Sequence, residues 1–249
     1  MVASLAAIDR LERIWSRGIV HRGGPHYRLA GTTGPVSIGE DECLILGQLI
    51  ARFKPSTCFV VGNGFGLSSA FIGKLMEQHG GTSVITLDDM SEGDGQRCFD
   101  TAQELTRRLD CRIVRNKYGR SPHDIGRSAE SAVYDFVFLD GNHAHPYATD
   151  DCRGLQPLLH HRSIIGWHDY WLGGVSESVA DAERAGYQCL KINSSSEMVF
   201  GTRDEKALQE IRNLFPGAEA PMRRRHPLAR LTLSRSFVWG SLKARFHAM

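Results

Sequence analysis

Two periods of hydrophobic spacing alternate along the chain. Seven short runs are apolar almost throughout: 57–62 (TCFVVG), 83–88 (SVITLD), 111–115 (CRIVR), 133–139 (VYDFVFL), 163–168 (SIIGWH), 188–192 (QCLKI) and 197–201 (EMVFG). Their length and β-branched or aromatic content predict buried strands. Between them, 66–78, 97–109, 146–160, 175–185 and 203–214 carry apolar residues at every third or fourth position, the spacing of a helix with one buried face. In 146–160 that face is Tyr147, Ala148, Cys152, Leu155 and Leu159. Ahead of the first run, Ser37-x-x-Glu40 reads as a capping box opening a helix through Cys43, Leu46 and Ile50, closed by Pro55. A first helix is expected over 4–17, with Leu5, Ile8, Leu11 and Trp15 on one side, and 19–37, rich in Gly, His, Thr and Pro, reads as loop.

Strands that are apolar on both faces and separated by helices predict a parallel sheet covered on both sides. The last two runs are joined by a short Asn-Ser-Ser-Ser turn, residues 193–196, which predicts a hairpin and hence one antiparallel strand at the end of the sheet. The expectation is an α/β, doubly wound, Rossmann-like seven-stranded sheet, mostly parallel with one antiparallel strand, with helices on both faces. Three regions follow: an N-terminal helix and loop over 1–36, suited to capping a substrate; the sheet domain over 37–215; and a C-terminal tail over 216–249.

Composition narrows this further. At 249 residues, 41% hydrophobic and 23% charged, the chain has an ordinary globular mix and can bury a full core without cross-links. Six cysteines lie far apart with no C-x-x-C pair, so neither a zinc ribbon nor a redox motif is indicated, and a reducing cytoplasm is expected. No secretory leader is legible, and no run of about 18 apolar residues exists to span a membrane. The net charge of +2 hides an asymmetry: residues 221–249 hold seven basic residues and no acid, which leaves −5 for the rest. Leu228, Leu231, Val238, Leu242 and Phe246 recur at roughly helical spacing among those charges, with Trp239 beside them. Such a tail is expected to dock on an acidic surface of its own or a neighbouring subunit in a homo-oligomer, with peripheral contact to an anionic membrane as the alternative. No basic groove interleaved with aromatics marks the core, so a nucleic-acid substrate is not expected.

The chemistry concentrates at the stretch FVVGNGFGLSSA, residues 59–70. Gly62, Gly64 and Gly66, with Asn63 among them, end the first strand of the sheet and open a helix. In open α/β sheets ligands bind beyond the carboxyl ends of the strands, and a helix N-terminus offers unpaired N–H groups and the positive end of its dipole. A nucleotide-like ligand is expected there. The NAD pattern G-x-G-x-x-G would need glycine where Leu67 stands. A serine hydrolase could recruit Ser68 with Asp140 and His143 or His168, which follow in hydrolase order. It fails on placement, because Ser68 falls inside the helix and not in the turn before it.

Five stretches, in order, resemble the motifs of class I S-adenosylmethionine-dependent methyltransferases, and more narrowly of a small-molecule O-methyltransferase subgroup. VVGNGFGLSSAFIGKL looks like the first motif, VITLDD the second, KYGRSPHDI the adenine-side loop, YDFVFLDGNHAHPYATDD the D-x-x-F-I-D-G-x-H strand end and SIIGWHDY the His-Asp strand end. The chain departs from the family at Val60, where an acid is usual. The resemblance covers roughly 36–203. It implies S-adenosylmethionine as cofactor, with the backbone of Gly62, Asn63, Gly64 and Gly66 near its methionine and ribose part. Asp88 would accept from the two ribose hydroxyls, with Asp89 as the alternative. Ser121 would lie at the adenine edge, unless it merely caps a helix, and Asp140 would also contact the cofactor.

In related O-methyltransferases the two corresponding strand ends carry three ligands of a divalent metal ion, which here would be Asp140, His168 and Asp169. Oxygen ligands suit magnesium; a histidine in the set moves the preference to manganese, iron or zinc. Without metal, His143 or His168 would serve as general base, since imidazole titrates near neutral pH. His145 crowds the same loop, whereas His160 and His161 read as charges at a helix C-terminus. His143, His168 and Asp169 are thus the expected catalytic residues. The expected reaction is methyl transfer from S-adenosylmethionine to a small-molecule oxygen. N-methylation without metal, or a catalytically silent module acting through the basic tail, are the alternatives.

Overall fold

The computed structural model describes the backbone of 20–23 and 26–29, and residues 38–89 and 95–221. The helix expected over 4–17 and the tail beyond 221 lie outside the described residues. Within 19–37, read as loop, the chain forms a small antiparallel hairpin of β1 (Val20–Gly23) and β2 (His26–Leu29).

The main domain runs α1 (Glu40–Phe53), β3 (Thr57–Val61), α2 (Leu67–Gln78), β4 (Ser83–Asp88), α3 (Gly95–Arg108), β5 (Val114–Tyr118), α4 (Ile125–Ser128), β6 (Tyr134–Leu139), α5 (Tyr147–Leu155), β7 (Leu159–Trp167), α6 (Gly173–Arg184), β8 (Gln188–Ile192), β9 (Met198–Thr202) and α7 (Glu205–Leu214). Seven strands pair in the order β5-β4-β3-β6-β7-β9-β8. All pairs are parallel except those made by β9, which runs antiparallel to both β7 and β8 and inserts between them. The doubly wound sheet expected from the alternation of periods is therefore present.

Successive side chains leave a strand on opposite faces. Cys58 and Val60 of β3, with Phe136 and Phe138 of β6, pack against α1, α2 and α7 through Leu46, Phe71 and Ile211. Phe59 and Val61, with Val137 and Leu139, pack against α5 and α6 through Cys152, Leu155 and Val179. Each fully buried large side chain contributes about 1.5–3 kcal/mol relative to exposure. All six cysteines are buried and none forms a disulfide, and five of them lie within these layers.

Three boundaries differ from the sequence expectation. α1 starts at Glu40 with Gly39 as N-cap, two residues beyond the expected Ser37 cap, and the reaching-back acid is Glu42, whose carboxylate accepts from Gly39 N–H at 2.8 Å. The helix read over 146–160 ends at Leu155, because Pro157 cannot continue its hydrogen bonding, and a single 3-10 turn leads into β7. His160 and His161 therefore sit on a strand, with His160 Nε2 3.0 Å from Asp135 Oδ1. β5 begins three residues later than the apolar run suggests. As an edge strand it carries Arg115, Lys117 and an exposed Tyr118, and the first two pair with Glu130.

The opposite edge, β8, is covered at one point. Lys191 and Glu219 exchange two backbone hydrogen bonds, so residues 216–221, counted with the tail above, begin against the sheet. Among the described residues, no helix is long and apolar enough to cross a membrane.

Candidate active site

The sheet order reverses between β3 and β6, and the crevice at such a switch point is where ligands of these sheets bind. Backbone bonds continue the ladder past the strand ends: Gly62 N–H donates to Leu87 O at 2.9 Å, Asp140 N–H to Val61 O at 2.9 Å, and His168 N–H to Leu139 O at 3.1 Å. Gly62, Asp140 and His168 thus stand side by side on the carboxyl edge. At Gly62 (φ +80°) a Cβ would lie 2.1 Å from the Asp140 carbonyl oxygen, so the absence of a side chain is required by the neighbouring strand. Gly64, with φ +46° and nothing within 4 Å of a built Cβ, leaves open space for an approaching group.

The residues expected around the cofactor gather here with defined tasks. Asp88 Oδ2 accepts from the backbone N–H groups of Asn63 at 2.6 Å and Gly64 at 2.7 Å, which ties the end of β4 to the glycine loop. The Asn63 side chain is buried, donating to Asn116 Oδ1 at 3.0 Å and accepting from Ser69 Oγ, so only its backbone faces the loop opening. Ser68 is buried inside α2, which closes the hydrolase alternative. Ser121 does not cap a helix; its side chain lies beside Asp151 and pulls that carboxyl's pKa down. Asp89 lies beside this region, and its charge acts on Asp151.

Asp151 is only 3% exposed, and burial pushes its carboxyl up to about 6 against the pull of Ser121. In the unfolded chain it would titrate near 3.9. The folded state therefore holds a proton that the unfolded state has released. This contribution to stability is complete below about pH 4 and is lost as pH rises through about 6. Asp151→Asn is expected to raise unfolding free energy by about 1–3 kcal/mol at pH 8, with a smaller gain at pH 5. Urea melts at both pH values check this; an equal gain at each would contradict it.

At the reacting end, Asp140 follows β6, and His168 and Asp169 follow β7. His168 Nδ1 lies 3.0 Å from Asp140 Oδ1 and 3.4 Å from Asp169 Oδ2. His143 Nε2 lies 3.6 Å from each of the same two oxygens. One ligand atom from each of the four residues falls within a 4.8 Å group. Burial alone would discharge these groups. For Asp140 the facing His168 and then His143 outweigh it and hold the carboxyl well below the usual range. For His168, burial is outweighed by Asp140, Asp169 and Glu42, which raise the imidazole well above its ordinary value. His143 is raised in the same way by Asp140 and Asp169. Both His143 Nε2 and His168 Nδ1 are buried without a hydrogen-bond partner of acceptable geometry, although they face carboxylate oxygens. His168 Nδ1 with the Asp140 and Asp169 oxygens would fit a divalent ion with mixed N/O ligands, and His143 Nε2 stands beside them.

Asp169 holds φ +56°, a left-handed conformation unfavourable for a residue with Cβ. Its Oδ1 accepts from Trp171 Nε1 at 3.1 Å, which leaves Oδ2 toward the histidines and stands a half-exposed indole beside the cluster. Gly174 lets the 143–145 loop pass, since a Cβ there would lie 2.3 Å from His143 O. His145 turns away and pairs with Glu177 at 2.6 Å. One member escaped the sequence reading: Glu42, from the first turn of α1, reaches His168 Nε2 at 3.0 Å and is 0% exposed. Only its place in the first helical turn marked it, and that position signals a cap.

A groove of about 990 Å³ opens at the other end of the sheet, between α1 and α7. Several of its charged side chains are already paired: Asp135 with His160, Arg162 with Asp204, and Glu210 with Arg52. The convergence of orphaned polar atoms is at the carboxyl edge.

Residues 59–170, from β3 to just past Asp169, match a family model described as a methyltransferase domain. No curated protein sequence matches the chain. Among solved structures, the O-methyltransferase from Bacillus cereus in complex with SAH is similar at 13% identity and TM-score 0.55, covering 79% of this chain and 89% of that one. The O-methyltransferase TomG from Streptomyces achromogenes, involved in tomaymycin synthesis and solved with SAM, is similar at 13% and 0.56, covering 80% and 88%. The SAH-bound methyltransferase PaMTH1 from Podospora anserina is similar at 14% and 0.56, covering 80% and 88%. At these identities the likeness is one of fold. The motif resemblance and the fold agree: residues 59–170 match a methyltransferase-domain model, and the chain has the fold of the class I S-adenosylmethionine-dependent methyltransferases.

Proposed function

We propose that this chain transfers the methyl group of S-adenosylmethionine to an oxygen of a small molecule, with the 59–66 loop and Asp88 holding the cofactor and Asp140, His143, His168 and Asp169 forming the reacting end. The observation that carries the reading is the seam between Gly62 and Asp140. It sets an open glycine loop directly beside a converging cluster of two imidazoles and two carboxylates. A silent binding module has no need of such a cluster.

The chemistry asks for alignment and for removal of one proton. The acceptor oxygen attacks the sulfonium methyl in line, the C–S bond breaks, and its electron pair stays on sulfur. His143 takes the acceptor's proton at Nε2, and the carboxylates of Asp140 and Asp169 stabilise the imidazolium so formed. Asp140, His168 and Asp169 are the residues that would hold a divalent ion. When bound, it would lower the pKa of a coordinated acceptor hydroxyl. Trp171 flanks the space where an acceptor would enter.

Calorimetry with SAH tests the cofactor half. Asp88→Ala is expected to weaken binding by about 1.5–3 kcal/mol, the range for a hydrogen bond to a charged group. That is roughly a 10–150-fold loss. Full affinity in the variant would move the ribose role to Asp89, and no binding to the wild type at millimolar SAH would overturn the reading. Methylation that survives chelation would leave His143 acting without metal.

A further inference from the structure

We propose that Glu42 is the positioning residue for His168: it keeps the ring hydrogen on Nε2 and turns Nδ1 toward Asp140 and Asp169. The proposal rests on the reading of that cluster as the reacting end and concerns an acid outside every motif of the domain.

The Glu42 carboxylate is 0% exposed, and four groups meet it. Oε2 accepts from Gly39 N–H at 2.8 Å and faces His168 Nε2 at 3.0 Å. Oε1 accepts from Ser194 Oγ at 3.0 Å and from Ser196 N–H at 3.1 Å. The neighbouring Asp41 binds the same turn, accepting from Ser195 N–H at 2.6 Å and Ser195 Oγ at 2.9 Å. The three serines of the β8–β9 turn are thereby accounted for. They grip the first turn of α1 and hold Glu42 against a residue 126 positions away in the chain.

A carboxylate can only accept, so Nε2 carries a hydrogen toward Glu42, and Nδ1, which faces Asp140 and Asp169, is the nitrogen whose hydrogen a metal ion would replace. The imidazole is then fixed at one end, and its other nitrogen points into the cluster at 3.0 Å from Asp140 Oδ1. Histidines that bind metal are commonly oriented in this way, by a carboxylate on the far ring nitrogen, and loss of that partner typically weakens metal affinity 10–100-fold. Among the described residues, Glu42 is the acceptor given at Nε2. Asp140 and Asp169 lie on the Nδ1 side, and Phe138 covers the ring at a centroid distance of 6.2 Å.

The test is a zinc titration of the full chain, read by calorimetry and by long-range 1H–15N spectra of the His168 ring, for wild type, Glu42→Gln and Glu42→Ala. The wild type is expected to keep its hydrogen on Nε2 and to shift at Nδ1 with zinc. Glu42→Ala is expected to lose 10–100-fold in zinc affinity and to lose the Nε2–H signature. Glu42→Gln, which keeps the shape and one acceptor oxygen, is expected to fall between and serves if the alanine variant does not fold. Equal zinc affinity and unchanged ring nitrogens in the variants would overturn the proposal, as would a wild-type ring carrying hydrogen on Nδ1 alone. A wild type that takes no zinc but keeps an Nε2–H that Glu42→Ala loses would sink the metal reading while upholding the role of Glu42.

Discussion

His143→Ala is expected to lower kcat by about 10²–10⁴-fold, the contribution of a placed general base. SAH affinity should stay within about twofold, because His143 belongs to the reacting end and not to the glycine loop. The fold should tolerate the change. His143 Nε2 makes no hydrogen bond of good geometry, and its side chain is 30% exposed, so its removal leaves neither a sealed cavity nor an orphaned partner. Steady-state kinetics alongside calorimetry and a thermal melt separate the effects. A variant that keeps kcat within about fivefold of wild type would remove His143 from the mechanism and return the proton to His168. A variant that loses SAH binding together with kcat would mean the two halves of the site are not separable as described.

Gly62→Ala is expected to be the most damaging single methyl group in the domain. The residue sits at φ +80°, and the new carbon would lie 2.1 Å from Asp140 O and 2.5 Å from Gly141 Cα. Both obstacles are backbone, so no side chain can rotate away. Conformational strain of about 1–3 kcal/mol adds to overpacking of similar size. The expected total is about 2–6 kcal/mol, or a drop of roughly 4–24 °C in Tm for a domain of this size. Gly64→Ala is the control. With φ +46° and nothing within 4 Å, it should cost only about 1 kcal/mol of stability while weakening SAH binding, since its space is the one left open. Urea melts and calorimetry on the pair decide the matter. Comparable loss of stability in both variants would mean that the seam with Asp140 is not what requires Gly62.

The sequence made the sheet and its carboxyl edge legible because both are written locally. Apolar runs fix strands, Gly62 to Gly66 mark the turn, and Asp140 and His168 each follow directly on a run. What it hid was set by tertiary contacts. Glu42 looks like any helix-capping acid until the 194–196 turn and His168 arrive from distant parts of the chain. Leu159 is in phase with the helical face of 146–160 yet belongs to β7, because Pro157 ends the helix first. β5 lies later than expected because an edge strand is only partly buried, so the CRIVR run over 111–115 outweighed the polar VRNKY that forms it. Asp88 was read as a ligand for ribose, while its hold on the loop amides could not be seen without the loop's curvature.

The two edges of the sheet are guarded differently, and this bears on solubility. A bare edge strand offers unpaired N–H and C=O groups to any other chain. On β5 the projecting Arg115 and Lys117 discourage such pairing by charge. β8 reads QCLKI, with four of five residues buried, and its guard is the strand-like contact of Lys191 with Glu219. Trimming the chain before Glu219 would uncover a short apolar template for intermolecular β-pairing. Aggregation of such a shortened chain would then report an open edge and not a failure to fold.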